Sequence, residues 1–391
     1  MKTKSDMLPF ILGLFLFWVN GDNFAAATLL PGMAKEFETG LTTAAFTVTA
    51  YMLCFGLFTA VFGPLGDRFG KSTILKIAAA GSALASLCSA FTPALGTTVA
   101  IRALNGIFSA GVMPVSVALV GETSTMENMH SRIAKTMGLM FLGSASATVI
   151  GGLVSYWGTW RQVYLVYGIA ESLLLAALFI VLPENQPRPS KESFFHPYAE
   201  VCQTPGFLKT IGLLFFLGYA TLGTFPFLGG YLKGTTDLSL IPIGLILAAY
   251  GAGTMFGGRI AGGMKKALGA SFFPIAGIVG GAGLIIFRIS SSVPALAAAG
   301  LLLTGLAFVF LQSSIVASAQ GLNPTRRGTV MSTASFTMVT SAALGTLING
   351  KVYAASPGLL LFTAAAAFII AGLAAGILFS VRKKLKTTVP V

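Results

Sequence analysis

The sequence predicts an all-α integral membrane protein with twelve transmembrane helices in two halves of six. Of its 391 residues, 55% are hydrophobic and only 9% are charged, whereas soluble domains carry about 25% charged residues. Apolar runs that approach or exceed the roughly 20 residues needed to cross a bilayer recur along the whole chain. The longest polar interruption, residues 183–206, lies near the middle and separates six runs from six.

The apolar runs define the expected helices. A division into eleven or thirteen spans is the alternative, and either would move one terminus across the membrane. The halves are residues 1–183 and 207–391, joined by a cytoplasmic loop at 184–206. The approximate spans are 8–32, 43–62, 73–91, 96–121, 134–157, 161–183, 208–231, 241–258, 272–290, 294–320, 328–350 and 357–381.

The positive charge of the chain indicates its orientation. The formal net charge is +13, but the lysines and arginines lie mainly in short loops between apolar runs, so a basic groove for nucleic acid is not expected. Most of the 25 lysines and arginines fall on one side of the membrane if the N-terminus is inside. Because positive loops stay in the cytoplasm, we expect both termini to be cytoplasmic.

Three charged residues, Asp22, Arg102 and Glu171, lie inside predicted spans. A charge within the bilayer costs at least about 2.5 to 3.5 kcal/mol, so each is a functional candidate. With a rise of 1.5 Å per residue, all three fall at a similar depth in spans 1, 4 and 6. Asp22 and Arg102 are candidates for a protonation switch, and a static ion pair joining helices 1 and 4 is the alternative. A structural role is the alternative for Glu171.

The two halves show faint internal similarity without equivalent charges. Residues 104–107 in span 4 correspond to residues 303–306 in span 10, and Leu301 stands where the first half has Arg102. No aspartate or glutamate lies within spans 7 to 12. Any protonation switch is therefore expected in the N-terminal half.

The stretch 63–71 carries three charges and three glycines between two apolar runs, which predicts a tight turn. It resembles the loop between helices 2 and 3 of the major facilitator superfamily, written G-x-L-a-D-r-x-G-r. The residues on that pattern are Gly63, Leu65, Asp67, Arg68, Gly70 and Lys71. The resemblance implies a gating role for this loop, with Asp67 facing the start of helix 11. Arg68 and Lys71 are candidates to pair with Glu122 or Glu127.

Further motifs resemble the drug/proton antiporters of that superfamily. Residues 102–106, Arg-Ala-Leu-Asn-Gly, match the helix 4 motif R-x-x-q-G, and Asp22 precedes Pro31 as the helix 1 carboxylate does. Residues 157–161 resemble the W-R-W turn between helices 5 and 6. The resemblance implies a transporter rather than an enzyme, in a bacterial-type inner membrane, with proton coupling on Asp22 and Arg102. Glu171 is added because it is a charged residue inside span 6 at a similar depth.

The helix 5 motif departs from these antiporters. They carry g-x-x-x-G-P-x-x-G-G, and residues 143–152 keep the final glycines but have Ala147-Thr148 in place of the central Gly-Pro. Small residues still allow close helix packing. Because the proline kink is missing, the direction of transport stays open.

Helical spacing and residue type suggest the lining of a substrate cavity. Asn105, Ser109 and Met113 share the Arg102 face of span 4, and Met and Phe adapt to varied apolar ligands. The other candidates are Asn20, Tyr51, Met137, Met140, Phe141, Phe216, Tyr219, Tyr250, Gln312, Phe336 and Met338. Each of them could equally serve helix packing.

These features lead to an expected function. We expect proton-coupled efflux of a small amphipathic or lipophilic compound by alternating access, with no cofactor beyond the proton gradient. The partners would be the substrate and the lipid bilayer, and the protein would be monomeric. The alternatives are proton-coupled uptake, dedicated export of one metabolite, sugar or siderophore-like molecule, and a membrane sensor or lipid-handling protein without proton coupling.

Overall fold

The computed structural model describes residues 4–125, 127–184 and 196–387, and every regular element in these ranges is a helix. Single-turn 3-10 helices lie at Gly269–Ser271 and Pro324–Arg326. The α-helices are α1 (Lys4–Glu36), α2 (Leu41–Ala44), α3 (Phe46–Phe69), α4 (Lys71–Ser89), α5 (Leu95–Glu122), α6 (Met129–Trp157), α7 (Trp160–Val181), α8 (His196–Gln203), α9 (Phe207–Ala220), α10 (Phe225–Thr235), α11 (Leu240–Leu268), α12 (Phe272–Ile289), α13 (Pro294–Gln320), α14 (Arg327–Ala355) and α15 (Pro357–Thr387).

The predicted membrane-spanning helices are confirmed. Within the described residues, 11 stretches are long and apolar enough to cross a membrane. One of them, Leu240–Ile289, contains both α11 and α12, so it covers two predicted spans. Part of the predicted central loop, residues 185–195, lies outside the described residues. The C-terminal part of the predicted loop forms α8.

Predicted span 7, residues 208–231, is present as Phe207–Thr235 but is interrupted at residues 221–224, between α9 and α10. The break contains glycine and two threonines, which are weak helix formers. Asn349 of α14 donates to the carbonyl oxygen of Tyr219 (3.3 Å) and to Thr224 Oγ1 (3.1 Å). A neighbouring helix thus satisfies backbone freed by the break, as a membrane interior requires.

The glycine-rich turn at 63–71 is also shorter than predicted. Helix α3 continues through Gly63 and Asp67 to Phe69, and α4 begins at Lys71. Only Gly70 leaves the helix, with φ 92° and ψ 131°. A positive φ of this kind is accessible to glycine without a Cβ clash, so one residue makes the whole turn.

Backbone contacts divide the chain into two units. The first comprises residues 1–194 and 225–248, and the second comprises residues 195–224 and 249–391. The first unit holds α1 to α7 together with α10 and the start of α11. Segment 225–248 joins this unit because α10 packs on α1: a Cβ at Gly229 would overlap the carbonyl oxygen of Ala27.

An apolar core inside the first unit supports the buried polar side chains. Phe15 of α1, Leu75 of α4, Val112 of α5 and Leu178 of α7 belong to one cluster of buried residues. Because close-packed interiors leave side chains little freedom, this core holds α1, α4, α5 and α7 in a defined arrangement. The buried charges lie on three of these helices: Asp22 on α1, Arg102 on α5 and Glu171 on α7.

Candidate functional site

A buried ion pair joins α1 to α5. Arg102 Nη1 donates to Asp22 Oδ2 over 2.7 Å, and both side chains are 1% exposed. The guanidinium lies over the rings of Tyr51 on α3 (4.5 Å) and Tyr164 on α7 (4.9 Å). The carboxylate and the two aromatic faces together compensate the desolvated cation. Side chains from α1, α3 and α7 therefore contact Arg102 of α5.

Close contact between α3 and α5 places this arginine. A Cβ at Gly106 would overlap the carbonyl oxygen of Tyr51, so glycine is needed for the two backbones to approach. Arg102 lies one helical turn before Gly106 and is thereby brought over the Tyr51 ring. The glycine of the predicted R-x-x-q-G motif therefore acts through packing.

Asn105 connects the ion pair to α4. Its Nδ2 donates to Ser86 Oγ on α4 (2.8 Å) and, over 3.3 Å, to Asp22 Oδ2. Its Oδ1 accepts from Ser109 Oγ (2.9 Å). Asp22 Oδ2 therefore faces both the guanidinium of Arg102 and the amide of Asn105.

Glu171 of α7 belongs to the same network. It is fully buried, and its Oε2 hydrogen-bonds Ser82 Oγ on α4 (2.8 Å). Ser82 Oγ lies 3.1 Å from Ser109 Oγ, so an unbroken chain of polar contacts runs from Glu171 through Ser82, Ser109 and Asn105 to Asp22. The three charges predicted to lie at one depth are brought into one network, with Glu171 inside the first unit against α4.

Three buried polar atoms near this chain have no hydrogen-bond partner among the described residues. They are Asp22 Oδ1, Glu171 Oε1 and the hydroxyl of Tyr167. Tyr167 lies four residues before Glu171, and therefore on the same face of α7. Buried polar groups are normally paired, so these three oxygens have hydrogen-bonding capacity that the described residues do not use.

Sequence reasoning named Tyr51 and Ser109 as cavity candidates but missed Ser82, Ser86, Tyr164 and Tyr167. Ser82 and Ser86 are separated by four residues on α4, and Tyr164, Tyr167 and Glu171 follow one another at spacings of three and four on α7. Both patterns place polar groups on one helix face. That signal was present, and a search for polar faces on apolar helices would have found it.

The predicted gating residues form a partly exposed cluster. Lys71 Nζ lies 2.6 Å from Asp67 Oδ1 and 2.9 Å from Glu122 Oε1. Of the predicted pairings, the one between Lys71 and Glu122 is present. The guanidinium of Arg68 lies 5.7 Å from the ring centre of Phe69. The Asp67 side chain is 60% exposed, so its ion pair is of the surface kind.

A second cluster joins the C-terminal ends of α1 and α4 to the N-terminal end of α7. Arg161 Nη2 lies 2.7 Å from Glu36 Oε1, and Trp160 Nε1 donates to Glu36 Oε2 over 2.6 Å. Arg161 Nη1 also donates to the carbonyl oxygen of Ala90 (3.1 Å). The W-R turn thus binds the end of the first helix, a role that its sequence resemblance did not specify.

Thr148, where the antiporters have proline, makes a helix-to-helix hydrogen bond. Its Oγ1 donates to the carbonyl oxygen of Gly244 on α11 over 2.9 Å. Gly152 and Gly244 allow α6 and α11 to approach closely. A Cβ at Gly152 would overlap the carbonyl oxygen of Leu240, and a Cβ at Gly244 would overlap that of Thr148. The departure from the motif replaces a kink with a specific contact inside the first unit.

The candidate cavity residues occupy several environments. Tyr51, Asn105 and Ser109 are buried in the network, and Asn20 hydrogen-bonds Met140 O and Ser144 Oγ. Met113, Met137 and Phe141 pack on the apolar core of the first unit. In the second unit Tyr250 is buried, Gln312 contacts Met338 Sδ (3.4 Å), Phe216 is half exposed, and Tyr219 and Phe336 are partly buried. Their role as cavity lining stays a prediction.

Metal binding finds no support in the described part of the chain. Over residues 4–125, 127–184 and 196–387, no group of three His, Cys, Asp or Glu side chains is arranged to hold a metal ion. The titratable groups that come together are instead a carboxylate pair with one arginine and several tyrosines. The carboxyl groups of such a site can take up and release protons.

The chain belongs to the Major Facilitator Superfamily, whose sequence profile matches residues 10–346. It is 25% identical over 352 residues to YceJ of Bacillus subtilis (strain 168), an uncharacterized MFS-type transporter, covering 86% of this chain and 87% of that protein. It is 31% identical over 192 residues to the multidrug efflux pump LfrA of Mycolicibacterium smegmatis (strain ATCC 700084 / mc(2)155), covering 48% of this chain and 38% of the pump.

Solved structures agree with the fold. The nucleoside transporter NupG superimposes with a TM-score of 0.79 at 14% sequence identity, covering 96% of this chain and 100% of NupG. At such low identity the likeness carries the fold and nothing about substrate. The predicted major facilitator fold is confirmed, and the protein is a multi-pass membrane transporter rather than an enzyme.

Proposed function

We propose that the protein is a proton-coupled efflux antiporter for small amphipathic or lipophilic compounds. It would alternate between two states in a bacterial-type inner membrane, with both termini in the cytoplasm and no cofactor beyond the proton gradient. It would work as a monomer in the lipid bilayer. The observation that carries the proposal is the buried pair of Asp22 and Arg102.

Such a pair responds strongly to protonation. An ion pair away from water is held by mutual attraction, and neutralising one partner leaves the other as an uncompensated buried charge, at a cost of about 3 to 5 kcal/mol. Protonation of Asp22 therefore provides a free-energy difference between two arrangements of α1 and α5, which is what a coupling ion must supply. Similarity to the named multidrug efflux pump favours a lipophilic substrate.

The cluster around Lys71 is proposed as a latch at the cytoplasmic end. Asp67, Lys71 and Glu122 link α3, α4 and α5 by two short ion pairs. Gly63, Arg68 and Gly70 belong to the same predicted loop. In the proposed cycle this latch favours the state that is closed toward the cytoplasm.

The test is transport by the purified full-length protein in proteoliposomes, with an imposed pH gradient and a panel of cationic and neutral lipophiles. We expect at least one compound to accumulate in the vesicles when the imposed gradient drives protons outward, because an antiporter moves the compound against the direction of proton flow. Asp22→Asn should abolish gradient-driven accumulation while exchange of labelled for unlabelled compound continues. No flux of any lipophile would reject drug efflux, and full activity of Asp22→Asn would favour a protein without proton coupling.

A second candidate is proton-coupled uptake or dedicated export of one metabolite, sugar or siderophore-like molecule. Thr148 favours it, because the antiporter Gly-Pro is replaced by a residue that hydrogen-bonds Gly244. The same proteoliposomes distinguish the candidates. Under uptake, flux of the substrate and protons would run in the same direction.

A further inference from the structure

The hydrogen atoms available to the buried network indicate where its proton lies. Three oxygen–oxygen contacts lead from Glu171 to Asn105: 2.8 Å to Ser82, 3.1 Å from Ser82 to Ser109, and 2.9 Å from Ser109 to Asn105 Oδ1. The 2.8 and 2.9 Å contacts have the usual length of an O–H···O hydrogen bond, and the 3.1 Å contact between Ser82 and Ser109 is slightly longer. A serine hydroxyl has one hydrogen, and an ionised carboxylate has none. With Glu171 ionised, two hydrogens would have to serve three contacts.

Asn105 cannot supply the missing hydrogen in this arrangement. Its Nδ2 faces Asp22 Oδ2 and Ser86 Oγ. Turning the amide over would bring Oδ1 against the Asp22 carboxylate, which repels it while Asp22 is ionised by its pair with Arg102. The hydroxyl of Tyr51 also hydrogen-bonds Ser109, but it brings its own hydrogen and one further contact. The shortage therefore remains.

The charged surroundings of Glu171 give the same answer. The nearest charges are Asp22 of α1, which repels an ionised Glu171, and Arg102 of α5, which is already paired with Asp22. Residues 77–87 of α4 and 136–155 of α6 contain no titratable side chain. On α7 itself, Tyr164 and Tyr167 are neutral phenols. A fully buried carboxylate without a cation of its own takes up a proton rather than staying charged.

We propose that Glu171 holds a proton in this conformation while Asp22 is ionised, so that the two carboxyl groups share one coupling proton. With the proton on Oε2, the hydrogen bonds run in one direction, from Glu171 to Ser82, from Ser82 to Ser109 and from Ser109 to Asn105 Oδ1. Every contact then has one hydrogen. The role of this proton in transport rests on the proposed proton coupling.

The network also links the two carboxyl groups. When Glu171 releases its proton to water, Ser82 turns its hydroxyl to the carboxylate, and the contact with Ser109 loses its hydrogen. Asn105 can restore that hydrogen by turning its amide over. The turned amide is tolerated once Asp22 has taken a proton from water, because Oδ1 then faces an O–H donor. Protonation of Asp22 therefore favours proton release at Glu171, and protonation of Glu171 favours proton release at Asp22.

Infrared spectroscopy of the purified full-length protein tests this without a substrate, because a protonated carboxyl group has a C=O stretching band that a carboxylate lacks. Spectra are compared between neutral and alkaline buffer. We expect one such band in the wild type, its loss in Glu171→Gln and its retention in Asp22→Asn. The amide of the Glu171→Gln variant can donate to Ser82, so it should keep the wild-type melting temperature.

A serine pair gives the matched control. Ser82→Ala should move the band to higher frequency, because the carboxyl group loses its hydrogen-bond partner. Ser89→Ala removes a buried α4 hydroxyl that donates to Ala85 O of its own helix, and should leave the band in place. A shift in both variants, or in neither, would overturn the assignment to Glu171.

Further outcomes are decisive as well. A band that persists in Glu171→Gln and disappears in Asp22→Asn would place the proton on Asp22, and no band in the wild type would mean that both groups are ionised. Either result overturns the proposal. If the band belongs to Glu171 but no flux responds to a pH gradient, proton-coupled transport fails while the protonated carboxyl group stands. If flux is proton-coupled and the band is absent, only the shared proton fails.

Discussion

The α3–α5 contact in the first unit and the α11–α13 contact at Tyr250 share a backbone feature and differ in what fills the space around it. A Cβ at Gly106 would overlap the carbonyl oxygen of Tyr51, and a Cβ at Gly305 would overlap that of Tyr250. The spacing from Tyr51 to Gly106 equals the spacing from Tyr250 to Gly305. The repeated sequence thus builds the same close crossing twice.

The side chains around the crossing are different. Leu301 stands in the place of Arg102, and both are buried. Thr304 replaces Asn105 and turns its hydroxyl to backbone carbonyls at Gly280 (3.3 Å) and Gly300 (3.0 Å). Phe308 replaces Ser109 and packs on Tyr250, with ring centres 6.0 Å apart.

This difference separates the helix scaffold from the buried polar network. Glycine-mediated contact between helices suffices to hold the fold, since the second unit uses it with a leucine in the arginine position. The polar chain from Asp22 to Glu171 is an addition to that scaffold. Its energetic cost in a membrane is high, which is the reason to expect a function for it.

The largest effect should follow from giving the first unit the leucine of the second. Arg102→Leu leaves Asp22 as a buried carboxylate with only Asn105 to face it, and we expect a loss of about 3 to 5 kcal/mol in the free energy of unfolding. Thermal unfolding of the detergent-purified protein measures this loss. Gradient-driven transport should fall to background.

A double variant separates charge from function. Asp22→Asn combined with Arg102→Leu removes both charges, so most of the stability should return while gradient-driven transport stays absent. An Arg102→Leu protein as stable as the wild type would contradict the ion pair as the organising contact. In that case the first unit would rest on the glycine crossing alone, as the second does.

An intermediate effect is expected at the shared crossing itself. Gly106→Ala and Gly305→Ala each force a methyl group into a tyrosine carbonyl, and overpacking of this kind costs about 1 to 3 kcal/mol. The two losses of unfolding free energy should be similar. Transport should fall further in Gly106→Ala, because Arg102 lies one turn away.

Gly96→Ala provides the control on the same helix. Nothing lies within 4 Å of a Cβ at Gly96, and alanine is the better helix former, so stability should be unchanged or higher. If Gly305→Ala were harmless and Gly106→Ala severe, the crossings would not be equivalent. The comparison between the units would then hold for the sequence but not for the packing.

The sequence predicted the elements whose causes are local. Apolar length determines the membrane helices, and the cost of charge in lipid identified Asp22, Arg102 and Glu171. Ser82 was missed because a serine on an apolar helix commonly bonds its own backbone, as Ser89 does, and spacing cannot tell the two uses apart. The break after α9 contains weak helix formers, but apolar length did not reveal it, and its partner Asn349 lies more than a hundred residues away in the chain.

The smallest effect on stability is expected at Asp67, which has no carboxylate counterpart in the second half. Its ion pair with Lys71 is partly exposed, so Asp67→Asn should lower the free energy of unfolding by less than about 1 kcal/mol. The proposed latch nevertheless predicts slower transport and greater labelling of cysteines introduced at the cytoplasmic end. Glu122→Gln, which removes the second carboxylate on Lys71, should act in the same direction.

The two variants test whether the exposed cluster does more than hold helices together. A network that only stabilised the fold would change transport no more than its small contribution to stability allows. A large loss of transport with a small loss of stability therefore requires that Asp67 favours one state over the other. Unchanged transport and labelling in Asp67→Asn would reject the latch, and would leave the buried network as the sole functional difference proposed between the two halves.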